Sequence, residues 1–241
     1  MDCSEVTTNV NRHPWELSRS DSMLWLLHQY GIKGNVLDYG CGDGYFSKIL
    51  IKREPGIESI WGVDSYLDEI SHDDCIHLVD SIDKVECASF DFILLMDVLE
   101  HIEDDIGLLR SLHTYLKADG FILVSVPAFQ RLFSLHDLEL HHFRRYNRKQ
   151  LQAVVEKCGF VCLRWSYFYT CLIFLRILTW NKTQNIGIWN KDVNRLETKV
   201  IRTLLNFDFR LCLLLSDIGL RIGGLSLFAL IKRNGQEGEF M

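Results

Sequence analysis

The chain has 241 residues, 48% of them hydrophobic and 24% charged, with a formal net charge of −6. That length buries a substantial core without disulfides or metals, and the composition excludes a disordered tail or a fibrous repeat. An acidic balance with no basic run leaves no source for non-specific binding of nucleic acid, so no nucleic-acid partner is expected.

Eight cysteines include no C-x-x-C pair and predict reduced thiols, mostly in the core. The leader MDCSEVTTNVNRHPWE lacks a secretory pattern, and no uninterrupted apolar stretch is long enough to cross a bilayer. A cytoplasmic location is therefore expected.

In chain order, Asp21–Gly31 reads as a first helix, opened by a capping residue and stopped by glycine. From Asn35 the pattern becomes apolar run, turn, helical segment, apolar run, the signature of parallel strands joined by crossover helices. Strands are predicted at Val36–Tyr39, Ile60–Val63, Ile76–Val79, Phe90–Leu95 and Phe121–Val126. The helices between them are Tyr45–Arg53, a short one near Leu67, and Ile106–Leu116, the last ended by Lys117-Ala118-Asp119-Gly120.

A further helix spans Arg148–Lys157 before Gly159, with strands at Phe160–Ser166 and Leu225–Lys232. The segment from about 167 to 224 reads as a helical insertion. In it Val193, Leu196, Val200 and Leu204 are spaced for one apolar face. Two domain segments result: residues 1–34 as a lid and first helix, and 35–241 as the catalytic domain carrying the insertion.

The most informative stretch is Val36-Leu37-Asp38-Tyr39-Gly40-Cys41-Gly42-Asp43-Gly44, which leaves a buried strand through three alternate glycines into a helix. Such a loop turns sharply and lets a ligand approach the backbone. Its G-x-G-x-G spacing departs from the dinucleotide fingerprint G-x-G-x-x-G, and acids at Asp38 and Asp43 would repel a pyrophosphate. A cationic cofactor without phosphates fits better.

Here the sequence resembles the class I S-adenosylmethionine-dependent methyltransferases, over roughly residues 12 to 170 and again in the final strand. The resemblance implies an α/β, Rossmann-like, doubly wound fold: seven mostly parallel strands, an antiparallel last strand, and a helical insertion before it. It implies S-adenosyl-L-methionine as cofactor, with Gly40, Cys41, Gly42 and Gly44 around its methionine part and Asp38 on its amino group. Asp64, with Ser65, ends the second strand where a carboxylate can accept from ribose hydroxyls, and Asp80 ends the third at the position matched to the adenine amino group. The alternative reading of Asp80 is a solvated turn acid.

After the fourth strand, Met96-Asp97-Val98-Leu99-Glu100-His101-Ile102 resembles the family's "LEH" segment. Asp97 there is a cofactor candidate, while Glu100 and His101 read alternatively as caps of the following helix.

The acceptor side is expected after the fifth strand, where residues 136–146 hold three His, two Arg and a Tyr. This segment resembles a type-11/12-like bacterial subset with an "HPWE" leader and an "HD…H-x-R-R-Y" loop. His136, His142 and Tyr146 are the candidate proton-handling residues, and Arg144 and Arg145 candidate clamps for an acidic acceptor. The other reading has Asp137 orienting His136, the arginines paired with acids, and Tyr146 anchoring the loop. The histidine spacing matches no recognised ligand set, so no metal is expected.

Trp15 in the leader is a candidate substrate contact, or a packing anchor. The apolar stretches 167–178 and 211–215 either line an acceptor pocket, rest on a membrane surface, or pack in the core or a dimer. The function expected is methyl transfer to a small-molecule, sugar or lipid-linked acceptor at oxygen, with a non-catalytic cofactor-binding scaffold as the alternative. Peripheral membrane contact, and a monomer or homodimer, stay open.

Overall fold

The computed structural model describes residues 12–67, 70–72, 74–179 and 195–234, without the side chains of 175 and 177–179. Eight strands form one sheet: β1 (Gly34–Tyr39), β2 (Ile57–Val63), β3 (Ser71–His72), β4 (Ile76–Val79), β5 (Phe90–Met96), β6 (Leu116–Pro127), β7 (Phe160–Phe168) and β8 (Ser226–Arg233). Their order is β3-β4-β2-β1-β5-β6-β8-β7. Strands β4, β2, β1, β5 and β6 are mutually parallel, β8 runs antiparallel between β6 and β7, and β3 is antiparallel to β4.

The helices are α1 (Pro14–Gln29), α2 (Tyr45–Arg53), α3 (Asp105–Leu112), α4 (Leu135–Glu139), α5 (Arg148–Lys157), α6 (Thr170–Thr179) and α7 (Arg195–Asp217). Alternating strand residues feed two cores, one on each face of the sheet. Leu37, Ile93 and Leu95 pack with Leu109 and Leu112 of α3 and Leu151 and Val155 of α5. Val36, Phe92 and Leu94 pack on the other face with α1, α2, α6 and α7, through Met23, Leu26, Leu50, Leu172 and Phe209 among others. The strand order reverses at β1, which lies between β2 and β5, so a crevice opens at the carboxyl ends of β1 and β5, where open α/β sheets bind ligands.

The doubly wound α/β architecture expected from the sequence is therefore present, with one strand more than predicted. β3 is too short and polar for periodicity to reveal, and it exists through its pairing with β4. Leu67 lies in no helix. The helix predicted over Ile106–Leu116 starts at Asp105 and stops at Leu112, because Leu116 is drawn into β6 opposite Phe90, ahead of a register shift. The first helix begins at Pro14, not Asp21. The His13 side chain accepts the Trp15 N–H and Pro14 opens the first turn, a start signal as strong as the one at Asp21.

The predicted insertion contains α6 and α7, while Val193 and its neighbours lie outside the described residues. Leu196, Val200 and Leu204, expected to form a packed face, are 72%, 51% and 59% exposed. The buried face of α7 is Leu205, Phe209, Cys212 and Leu213 instead. Polar bonds select it: Arg202 is paired with Asp21 of α1, and Ser18 donates to Asn206 at 2.7 Å. Of the described cysteines, Cys41, Cys158 and Cys212 are buried, whereas Cys75, Cys87 and Cys171 are exposed, fewer core thiols than expected. Among the described residues no helix is long and apolar enough to cross a membrane.

Candidate cofactor and acceptor site

The glycine loop follows β1 at the strand reversal. Gly40, Gly42 and Gly44 all have φ between 58° and 78°, a region that L side chains rarely occupy. A Cβ on Gly40 would also stand 2.4 Å from Val98 Cγ2, and one on Gly44 2.8 Å from Leu78 Cδ1. The loop thus runs against the chain behind it and turns its open side to a cleft lined by Arg19, Ser20, Asp38, Gly40, Cys41, Tyr45, Phe46 and Met96.

Asp38 is 1% exposed. Its Oδ2 accepts from Ser47 Oγ at 2.6 Å, while Oδ1 is buried with no hydrogen-bond partner. Burial raises this carboxyl to about 6, and the Ser47 hydrogen bond works against that rise. Asp64, at the end of β2, accepts the N–H of Gly42 at 2.8 Å and that of Tyr66 at 2.9 Å. Ser65 beside it is exposed. Cys41 is buried, its thiol raised far above the ordinary range chiefly by burial, so it lines the cleft as an inert apolar group.

Asp97 follows β5 with φ of 55°, accepts from Ser125 Oγ at 3.1 Å and is paired with Arg19 of α1. Phe129 and Tyr169, just beyond β6 and β7, also have left-handed φ. Strained backbone thus gathers along this sheet edge. Asp80 is different: it is exposed at the end of β4, and Lys84 pairs with it at 2.6 Å.

The leader closes over this region. Arg12 is paired with both Glu16 and Asp43 and lies over the Tyr45 ring, 3.9 Å from its centroid. Arg19 lies over the Trp15 ring. Glu16 and Arg19 share one face of α1, and Arg12 precedes the helix at i, i+4 spacing from Glu16; that spacing, visible in the sequence, was the missed signal for a basic strap across the cleft.

On the acceptor side the network differs from the sequence expectation. Asp137 is fully buried and binds His142 Nδ1 at 3.1 Å and Arg145 Nε at 2.6 Å, rather than orienting His136. These partners hold its carboxyl well below the usual range despite burial. His136 lies 3.8 Å from Glu139 on the outer side of α4. Tyr146 is 2% exposed, and its hydroxyl donates to Asp105 at 2.7 Å; burial and that carboxylate raise the phenol far above its ordinary range. The geometry gives Tyr146 an anchoring place, not one facing the cleft. Arg144 pairs with Asp105 at 3.0 Å, and Arg145 is buried on Asp137. Both expected clamps are thus committed to protein carboxylates.

Sequence reasoning also missed how Glu100 and His101 meet His142. The "LEH" residues form a 3-10 turn, while Asp104 is the cap of α3. The N–H of Phe143 donates to the Glu100 carbonyl at 2.7 Å, bringing the acceptor loop onto that turn. One potential ligand atom from each of Glu100, His101 and His142 lies within 4.8 Å of the others. Glu100 is 1% exposed, and burial pushes it up to about 7.

A doubly wound sheet with a glycine loop at its reversal, and acids at successive strand ends, is an arrangement that binds nucleoside-type ligands in open α/β sheets. Residues 19–164, more than half of the chain, match the family described as "Methyltransferase domain", and the chain belongs to that family. A curated relative, the ubiquinone biosynthesis O-methyltransferase of Xanthomonas campestris pv. campestris, is 26% identical over 99 residues, which cover 37% of this chain and 41% of the relative. The match thus spans about two fifths of that protein. Among solved structures, a SAM-dependent methyltransferase from Archaeoglobus fulgidus aligns with TM-score 0.50 at 20% identity, covering 89% of this chain and 94% of its own. Phosphoethanolamine N-methyltransferase 2 of Haemonchus contortus, in complex with S-adenosyl-L-methionine, aligns with TM-score 0.55 at 16% identity over 88% of this chain and 52% of its own. These two share the fold.

Proposed function

We propose that this chain is an S-adenosylmethionine-dependent methyltransferase that transfers the methyl group to a hydroxyl oxygen of a small-molecule, sugar or lipid-linked acceptor. The carrying observation for the cofactor end is Asp38: a buried carboxylate with one oxygen unpartnered, at the base of a glycine cradle, suits an ammonium group. Asp64 is placed to accept from ribose hydroxyls while it fixes Gly42. Asp97, held by Ser125 and Arg19, faces the same edge. Asp80 is assigned the adenine end, where an exposed acid needs only to exchange Lys84 for a ligand donor.

When bound, S-adenosylmethionine supplies an electrophilic methyl on a sulfonium, so the protein's tasks are alignment and exclusion of water. Arg12 and Arg19 strap α1 over the cleft and close it. His142, oriented through Nδ1 by Asp137, lies against His101 and beside Glu100. The acceptor's proton is handled at this cluster, and His136 and Tyr146 support the loop around it. Trp15 packs under Arg19 at the cleft rim, on the route an acceptor takes.

The oxygen assignment is supported by the name of the Xanthomonas relative and by the acid and histidine groups near β5. The leader and the His136–Tyr146 segment support placing the chain in the bacterial subset that carries both. The exposed apolar side of α7 supports either a homodimer or a peripheral membrane contact. The test is transfer of labelled methyl from S-adenosylmethionine to a panel of catechols, phenols, sugars and amines, with S-adenosylhomocysteine release measured in parallel. Labelling of hydroxyl acceptors alone is expected; labelling confined to amines would overturn the oxygen assignment.

A further inference from the structure

Glu100, His101 and His142 have a feature that proton handling alone leaves unexplained. Both carboxylate oxygens of Glu100 are buried with no hydrogen-bond partner among the described residues. A nearby backbone amide and, through space, the charges of Arg19 and Arg145 only partly offset the burial. A carboxylate so weakly compensated is disfavoured unless a cation or proton joins it.

The histidine beside it is prepared for ligation. Asp137 takes His142 Nδ1, and is itself fixed by Arg145 and by the N–H and hydroxyl of Ser134 at 2.8 and 3.0 Å. A carboxylate on one ring nitrogen fixes the tautomer and presents the other to a metal, the arrangement found behind ligating histidines. The His101 and His142 rings, from two chain segments, meet edge to face with centroids 4.5 Å apart, and each has a ring nitrogen within 4.8 Å of the other's and of a Glu100 oxygen.

We propose that Glu100, His101 and His142 form a binding site for a divalent transition-metal ion. Ligand atoms at about 2.1 Å from a shared tetrahedral ion stand about 3.4 Å apart. The observed limit of 4.8 Å closes to that with side-chain shifts of under about 1 Å each. Two imidazoles and one carboxylate with open positions suit Zn2+, Mn2+, Fe2+ or Co2+ rather than Mg2+ or Ca2+. The ion's use, unlike its binding, rests on the methyl-transfer reading. Its open positions would hold hydroxyl oxygens of the acceptor and lower their pKa. The O–H bond breaks with its proton passing to water, an oxygen lone pair forms the bond to the methyl carbon, and the pair of the breaking S–C bond stays on sulfur, leaving S-adenosylhomocysteine.

The test is titration of chelator-treated full-length protein with Co2+, followed by calorimetry and visible absorption, with S-adenosylhomocysteine titrated into the same preparation. One equivalent of Co2+ should bind and show ligand-field bands, and Glu100→Gln and His142→Gln should weaken binding at least tenfold while keeping the circular dichroism spectrum and S-adenosylhomocysteine binding. Should Glu100→Gln not fold, His101→Asn takes its place. Failure of Co2+ to saturate, or unchanged affinity in the folded variants, overturns the site; equal competition by Mg2+ overturns the ion class. S-adenosylhomocysteine binding without Co2+ would sink this site alone, whereas Co2+ binding without S-adenosylhomocysteine would sink the methyl-transfer reading and leave the site standing.

Discussion

The carboxylate of Asp64 accepts the backbone N–H of Gly42 at 2.8 Å, tying the end of the second strand to the loop that leaves the first. One side chain therefore shapes the glycine cradle and, in the function proposed, also accepts from the ribose hydroxyls. Asp64→Ala removes both, and S-adenosylhomocysteine should bind about 10- to 100-fold more weakly, the equivalent of about 1.5 to 3 kcal/mol. Calorimetry checks this, with circular dichroism confirming that the sheet is intact.

If Asp38 holds the cofactor's ammonium as proposed, binding should be pH-dependent. Its carboxyl is raised to about 6 in the folded protein. A raised acid is neutral below that value, so the ammonium of the cofactor loses its counter-charge as pH falls through about 6. Affinity should be flat from pH 8 to 7 and fall toward pH 5, with proton release on binding near pH 6. Asp38→Asn should bind weakly throughout and show no such slope in titrations across that range.

Gly40 admits no side chain. With φ of 78° and Val98 Cγ2 at 2.4 Å from an added Cβ, Gly40→Ala should lower thermal stability and abolish measurable cofactor binding. A backbone strain of about 1 to 3 kcal/mol is expected before the steric clash is counted. Gly40→Ala with Val98→Ala relieves the clash and leaves the strain, so differential scanning calorimetry should show partial recovery.

The Arg145–Asp137 pair is buried on both sides. Removing one partner leaves the other charge isolated, and Asp137→Ala should destabilise the protein by about 3 to 5 kcal/mol. Asp137 is depressed in the folded state, so its stabilisation is complete above the unfolded carboxylate value near 4 and is lost as pH falls below it. Urea unfolding between pH 7 and 3 should show the wild type losing stability below about pH 4 through this group, and Asp137→Asn losing less.

Much of the glycine loop and the strand ends around it was legible in the sequence because it depends on local rules. Three glycines and Asp38 lie on one strand-to-helix turn, and Asp64, Asp80 and Asp97 each close an apolar run. The acceptor end was not legible to that degree, because its partners are distant in sequence. Nothing local says that Asp137 serves His142 and Arg145 instead of His136, or that Phe143 docks on Glu100. α7 shows the same boundary: it carries two apolar stripes, and bonds from Asp21 and Ser18 on α1 decide which one is buried.

The most direct measurement is calorimetric titration of the purified protein with S-adenosylmethionine and S-adenosylhomocysteine at pH 7.5. One equivalent of each should bind, with Asp64→Ala and Asp38→Asn weakened. Absence of binding to either ligand, or binding unaffected by both substitutions, would contradict the assignment of this cleft as the cofactor site.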